Sequence, residues 1–236
     1  FNDASRLQVA INSVLLQNVP NLELIVIDGA STDGTIPLLQ SYGKRIAFWL
    51  SEPDEGIYDA WNKGIALASG DWIGFIGADD CFRPHAIAAY QDFLKNVSGL
   101  DYICSRICLC YPNHSTRLIG QSWSWSKFRH FMNVAHVGSL HHRSLFEKYG
   151  AYNSKLKICG DYEFLLRSGS TLRAAFIDDV LLDMAAGGVS ESSALSIFES
   201  YQVKLRAKSV NSIQATFDCC EALLKWYLRR IMLFLI

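Results

Sequence analysis

Short apolar runs alternate with helical repeats through the first hundred residues, and this alternation narrows the possible folds more than any other feature. Residues 4–17 repeat apolar side chains at helical spacing, whereas the run 22–27 is short, apolar and β-branched, which is typical of a buried strand. The pattern continues with helices predicted from about Thr35, at 57–68 and at 84–97, and with strands at 46–50 and 72–76. It favours an α/β domain with a mixed, mainly parallel sheet flanked by helices.

Carboxylates follow two of the predicted strands. Asp28 ends the first, and Asp79 and Asp80 stand three residues beyond the strand in WIGFIGADD. Ligands of parallel sheets bind beyond the carboxyl ends of the strands, so these acids are candidates for one site. Mg²⁺ or Mn²⁺ would offset the repulsion between adjacent carboxylates. An ordinary turn, where Asp is common, is the alternative.

The second half of the chain is less regular. Strands are predicted at 102–110, 117–119 and 174–180, short helices near 143–149 and 161–167, and two long helices over 195–235. The segment 122–131 is aromatic-rich, and packing in the core or in a lid is favoured for its Trp123 and Trp125 over stacking on a ligand ring.

Composition excludes some classes of protein. The 236 residues carry a net charge of -1, which does not suggest a nucleic-acid binder. The seven cysteines form no paired CxxC set, so reduced thiols of a cytoplasmic protein are favoured over a zinc site. No apolar run reaches the roughly 20 residues of a membrane span. The basic, apolar segment 222–236 could lie on a membrane surface, or pack on the domain or on a partner subunit.

Four motifs occur in order along the chain: LELIVIDGASTDGT, the stretch SEPDEGIYDAWNKGIALASGDWIGFIGADD, SLFEKYGAYN and GDYEFLLR. Together they resemble family 2 glycosyltransferases, which have the GT-A nucleotide-sugar-binding fold. The resemblance covers roughly residues 1–180. It implies a single GT-A domain with a nucleotide-sugar-binding half at 1–100, an acceptor and catalytic-base half at 101–190, and a helical extension at 191–236.

The resemblance also implies roles for individual residues on the donor side. Asp28 would bind the nucleotide base, and Asp79 the ribose or the metal, with Asp80 as a metal ligand. The remaining nucleotide-binding candidates are Asn2, Asp3, Asn62 and Lys63, although surface exposure accounts for Lys63 equally well.

On the acceptor side, the resemblance implies that Asp161 is the catalytic base, which would deprotonate the acceptor hydroxyl in a single inverting displacement. An Asp at this place could instead be a helix N-cap. His136 would contact the acceptor or a phosphate.

The chain departs from the family pattern in three places. Gly77 stands where many relatives carry the first Asp of a DxD cluster, and Val137 stands where relatives often have Gln. The family's first apolar strand would lie ahead of Phe1, in the middle of the sheet, and a chain without it should fold poorly.

The resemblance implies a cytoplasmic, metal-dependent, inverting glycosyltransferase. A peripheral place at the inner face of the cell membrane and a homodimeric assembly are further expectations. The enzyme would move a sugar, most simply from a UDP-sugar, to a glycan or lipid-linked acceptor in cell-surface polysaccharide or lipopolysaccharide biosynthesis. A nucleotide-sugar hydrolase, a nucleotidyltransferase and a non-catalytic nucleotide-sugar-binding protein are the alternatives.

Overall fold

A computed structural model describes residues 1–188 and 193–234, and they form an α/β fold. The helices, apart from two short 3₁₀ turns, are α1 (Ala4–Leu15), α2 (Thr35–Tyr42), α3 (Ile57–Leu67), α4 (Ala86–Asn96), α5 (Trp125–Phe128), α6 (Arg143–Tyr149), α7 (Gly160–Ser168), α8 (Leu195–Arg206) and α9 (Ser212–Phe234). The strands are β1 (Ile25–Asp28), β2 (Phe48–Ser51), β3 (Trp72–Gly74), β4 (Cys81–Phe82), β5 (Tyr102–Cys110), β6 (Thr116–Ile119), β7 (Leu140–His142) and β8 (Ala174–Ala185). The periodicity therefore located the predicted elements to within a few residues, and residue 235 lies outside the described part.

The strands form two sheets, and the expectation of a mainly parallel arrangement is wrong for the larger one. β1 and β2 pair in parallel. The larger sheet has the order β3-β7-β5-β8-β4 with β6 also on β5, and only the pair β5–β8 is parallel. A parallel pair needs a long crossover connection, whereas β5 and β6 are joined by a short turn that forces them antiparallel.

The core lies on both faces of β5. One cluster contains Tyr102 and Cys104 with the aromatic residues of α7, and another contains Ile103 and Ile107 with residues of α4 and β8. Because β5 is covered on both faces, its sequence reads as an almost continuous apolar run rather than an alternation.

The two C-terminal helices are joined to the rest of the fold by a buried charged group. Lys204 of α8 donates to Asp218 of α9 over 3.0 Å and to the His130 carbonyl over 3.1 Å. Gln214 and His130 also contact the Asp218 carboxylate. A buried ion pair that lost one partner would leave an uncompensated charge, so the group holds α8 and α9 in one arrangement.

Candidate functional site

Asp28 lies at the carboxyl end of β1, with only 5% of its surface exposed. It accepts hydrogen bonds from Ser31 N at 2.9 Å, Ser31 Oγ at 2.5 Å and Ser51 Oγ at 2.6 Å. Burial raises the pKa of the Asp28 carboxyl, but these hydrogen bonds outweigh burial and the net shift is downward. The side chain is thus held ionised, with about one of its four acceptor positions still open.

The first residues of the chain pack on the loop that follows β1. Asn2 donates its N–H to Ser31 Oγ at 2.7 Å and accepts from Thr32 N at 2.8 Å. Asp3 comes directly before α1 and pairs with Arg6 at 2.5 Å. Asn2 and Asp3 therefore lie at the same edge as Asp28, and their nucleotide-binding role stays a prediction.

Arg6 is a member of this edge that the sequence analysis missed. Its guanidinium lies 3.5 Å from Asp79 Oδ2 in addition to its contact with Asp3, so it bridges the start of α1 and the acidic turn. The side chain is 62% exposed, and such a pair contributes little to stability. Its i,i+3 spacing from Asp3 was the only signal in the sequence.

The two acids of the turn after β3 have different surroundings. Asp80 is buried and accepts from Gly77 N at 3.0 Å and from Ala185 N at 3.2 Å, one on each oxygen. Burial, followed by the charge of Asp79, raises the pKa of Asp80 to about 6. The Asp79 side chain is 43% exposed, and among the described residues its ion-pair partner is Arg6. The turn thus offers Asp79 outward, while Asp80 holds the turn together.

Gly77 fits tightly against this turn. A Cβ at position 77 would lie 2.7 Å from Asp80 Oδ2 and 3.0 Å from Asp79 Oδ1. A side chain at position 77 would force the two carboxylates to move. The arrangement of Asp79 and Asp80 seen here therefore requires glycine at the position where many relatives carry the first Asp of DxD.

The polar groups of Asn62 and Lys63, both in α3, already contact the protein. The Asn62 amide donates to the Tyr152 carbonyl at 2.9 Å and accepts from Tyr152 N at 2.8 Å. Lys63 Nζ contacts Glu52, Asp59 and the Pro53 carbonyl within 3.3 Å. The structure gives both side chains a structural task, and their nucleotide-binding role stays a prediction.

Asp161 is the second residue of α7, and the alternative assignment as N-cap is wrong because Cys159 occupies that position. Its Oδ1 accepts from Tyr162 N at 2.8 Å and lies 3.2 Å from the Tyr58 hydroxyl. Among the described residues, Oδ2 has no hydrogen-bond partner. Burial raises the pKa of Asp161 to about 6, against the opposing effect of these hydrogen bonds. A carboxylate with one open oxygen and a raised pKa suits a general base.

Tyr58 and Gly160 fix the position of Asp161. The Tyr58 hydroxyl donates to the Ile158 carbonyl at 2.5 Å, directly before α7. A Cβ on Gly160 would lie 2.8 Å from three atoms of the Tyr58 ring, so the ring packs directly on the first residue of the helix. The sequence analysis missed Tyr58, although it lies in the quoted GIYDAWNKGI segment.

The segment before Asp161 is held from two further directions. Glu199 of α8 accepts from Lys157 N at 2.9 Å, Ile158 N at 2.8 Å and Cys159 N at 2.9 Å. Lys157 Nζ donates to the Glu55 carbonyl at 2.6 Å, which ties this segment to the loop after β2. We call residues 157–159 the base loop. Because Glu52 N donates to the Asp28 carbonyl, the base loop is connected to the edge that carries Asp28.

His136 lies behind this site rather than in it. It is 5% exposed, its Nε2 is 2.9 Å from the Tyr152 hydroxyl, and its ring stacks on Trp61 at 4.6 Å. Burial lowers the pKa of His136 well below the usual range, so the ring is neutral. The predicted direct contact with an acceptor or phosphate does not fit this conformation. Trp123 likewise packs on Phe128, with ring centroids 4.3 Å apart.

One cysteine group among the described residues has the spacing of metal ligands. The ligand atoms of Cys108, Cys110 and Asp183 lie within 4.8 Å of one another. Arg83 already donates to Asp183 at 2.8 Å and neutralises it, so we assign no metal to this group.

The chain belongs to glycosyl transferase family 2, whose family model matches residues 1–146. It is 33% identical over 199 residues to an uncharacterized glycosyltransferase of Mycobacterium tuberculosis, and the match covers 80% of this chain and 73% of that protein. It is 27% identical over 171 residues to a PGL/p-HBAD biosynthesis glycosyltransferase of Mycobacterium bovis. That match covers 71% of this chain, and the chain spans only 66% of the relative's length.

Solved structures confirm the GT-A fold. Staphylococcus aureus TarS 1–349 in complex with UDP-GlcNAc has a TM-score of 0.72 at 15% identity, covering 94% of this chain and 69% of that one. Mycobacterium tuberculosis glucosyl-3-phosphoglycerate synthase with Mn²⁺, UDP and phosphoglyceric acid has a TM-score of 0.61 at 17% identity, covering 90% and 77%. No helix in the described part of the chain is long and apolar enough to cross a membrane.

Proposed function

We propose that this chain is an inverting, metal-dependent glycosyltransferase that uses a nucleotide-sugar donor, with UDP-sugars as the first candidates. The observation that carries the proposal is Asp161, a carboxylate with a raised pKa and an open oxygen, connected through the base loop to an acidic strand edge. Family membership and the UDP-sugar complex of TarS support it.

Asp161 acts as the base in this proposal. Its carboxylate takes the proton of an acceptor hydroxyl as that oxygen bonds to the anomeric carbon of the donor sugar. The bond from the anomeric carbon to the diphosphate breaks in the same step, and the configuration inverts. Tyr58 and the base loop hold the carboxylate in place while this happens.

In this proposal the donor binds at the edge of the sheet that carries Asp28 and Asp79. Asp28 would accept a hydrogen bond from the base of the nucleotide, and Asn2 and Asp3 would line the same pocket. The exposed Asp79 suits Mg²⁺ or Mn²⁺, which prefer carboxylate oxygens. Burial and then the charge of Asp79 raise the pKa of Asp80, and a dication would relieve the second of these effects. When bound, the metal would neutralise charge on the departing diphosphate.

The acceptor is proposed to be a hydroxyl of a glycan or a lipid-linked glycan in cell-surface polysaccharide biosynthesis. The mycobacterial relative is named for PGL/p-HBAD biosynthesis, which supports a biosynthetic role for the transfer. The division into a donor half at 1–100, an acceptor half at 101–190 and a helical extension belongs to the same proposal, as does the possible homodimer.

The first experiment is a thermal-shift panel of nucleotide sugars with and without Mn²⁺, since a donor that binds the folded state raises Tm by mass action. The best donor then enters a transfer assay with glycan acceptors. Asp161→Asn should reduce transfer by about 10²–10⁴-fold while the donor Kd stays nearly unchanged. Transfer by the variant at the wild-type rate would refute the base assignment. Donor hydrolysis that persists without transfer would favour the hydrolase alternative.

A further inference from the structure

Helix α9 has one covered face and, opposite it, an apolar face that is exposed. The inner face carries the buried Ala215 and Asp218 and packs on α8. The opposite face carries six large apolar side chains that are 39–81% exposed, and we call them the outer stripe: Ile213, Phe217, Leu224, Tyr227, Leu228 and Ile231.

The outer stripe is continuous. At 100° per residue its members fall within an arc of about 100°, and it runs along about five turns of the helix, roughly 27 Å. A soluble helix normally exposes apolar residues singly, so a stripe of this length indicates a surface that contacts something.

Basic residues flank the outer stripe on both sides. Lys225 directly follows Leu224, and Arg230 directly precedes Ile231, so the two cations project about 100° to either side of the stripe. Both are exposed, and the Arg230 guanidinium lies 4.7 Å from the centre of the Trp226 ring. Cations at the boundary of an apolar face, with aromatic rings beside them, are typical of helices that lie in a membrane interface.

We propose that the outer stripe of α9 docks on an anionic lipid surface, with the helix lying in the plane of the interface. Charge decides between a membrane and a second copy of the chain. Glu221 is the acid of α9 that lies beside the stripe, and it pairs with Lys225 at 2.5 Å. Arg230 has no acid partner among the described residues. The outer stripe of a second copy would bring no free acid to Arg230, whereas anionic headgroups provide the missing countercharge. The proposal does not depend on the transferase activity.

The test is flotation of the purified full chain with vesicles, either phosphatidylglycerol mixed with phosphatidylcholine or phosphatidylcholine alone. The chain should float with the anionic vesicles, and high salt should weaken the binding. Lys225→Gln/Arg230→Gln should lower the partition coefficient of the chain onto anionic vesicles by about thirtyfold, because two cations near the surface are lost.

The apolar part is tested with Leu224→Ser/Leu228→Ser, which should lower the partition at least about tenfold. The matched control is Leu16→Ser/Leu118→Ser, which removes two exposed leucines from α1's end and β6 and should bind like the wild type. Three outcomes would overturn the proposal: no flotation of the wild type, equal losses in the test and control variants, or sedimentation of a dimer that dissociates in the α9 variant without any lipid binding.

Discussion

Replacing Glu199 tests whether helix α8 holds the proposed catalytic base, Asp161, in position. The Glu199 carboxylate accepts three backbone N–H groups of the base loop at 2.8–2.9 Å, and Asp161 follows this loop after one residue. Glu199→Ala removes all three acceptor contacts at once. We expect a loss of both stability and turnover.

The size of the stability loss follows from the donors left behind. Ile158 and Cys159 are buried, whereas Lys157 is exposed and can be hydrated. Each buried donor without a partner costs about 1–3 kcal/mol, so the two together should cost about 2–4 kcal/mol if water reaches them in part. The free energy of unfolding of a native domain is about 5–15 kcal/mol, so the variant should still fold.

Urea unfolding measures this loss, and the midpoint should fall by about 1–2 M. Glu199→Gln keeps one acceptor oxygen for Ile158 and Cys159 but turns an amide NH₂ toward Lys157 N, so it should lose about half as much. The charge of Glu199 also helps to raise the pKa of Asp161. Without that charge Asp161 ionises more readily, so the acid limb of kcat/KM should move to lower pH in the Gln variant. An Ala variant with an unchanged midpoint and unchanged turnover would refute the reasoning.

The other predictions concern the base and the acidic turn. Because the base must be ionised and the pKa of Asp161 is about 6, kcat/KM should rise with pH through about 6 and level off above it. A carboxyl whose pKa is raised in the folded state stabilises the fold while it is protonated, and this contribution is lost as pH rises through about 6. Asp161→Asn should therefore exceed the wild type in stability by more at pH 8 than at pH 5, measured by urea unfolding. Gly160→Ala should lower both Tm and kcat, because its Cβ would displace the Tyr58 ring and cost about 1–3 kcal/mol; an unchanged kcat would argue against Tyr58 as a positioning residue. Asp79→Asn should weaken Mn²⁺-dependent donor binding with stability within about 0.5 kcal/mol, whereas Asp80→Ala should lower the unfolding midpoint, because it removes the acceptor of two backbone N–H groups. The reverse pattern, measured by calorimetry and urea unfolding, would exchange the two roles.

Local sequence pattern was sufficient for the helices but not for the sheet. The bounds of α3 and β5 follow from apolar spacing, which depends on residues that are neighbours in the chain. The pairing of β5 with β7, and the short strand β4 on β8, depend on contacts between distant segments that no local period records.

The same distinction separates the site residues that were predicted from those that were missed. Asp28 and Asp79 stand at strand ends, where their position alone suggested a function. Tyr58 acts on Asp161 across 103 residues, and Glu199 contacts the base loop across about 40. His136 was predicted from the family motif, but the motif does not report the aromatic residues that bury it.

The base loop connects the two sides of the proposed reaction. It is anchored to α8 through Glu199 and to the loop after β2 through the contact of Lys157 with Glu55. The loop after β2 in turn pairs with Asp28, at the proposed nucleotide pocket. Donor binding at Asp28 can therefore tighten the segment that carries Asp161 without any direct contact between the two carboxylates. If so, Lys157→Met should reduce kcat and also weaken donor binding, because coupling between two sites is reciprocal, whereas Lys155→Met, at an exposed lysine two residues away, should change neither. Equal kcat values for the two variants, measured at saturating donor, would show that the connection has no part in the reaction.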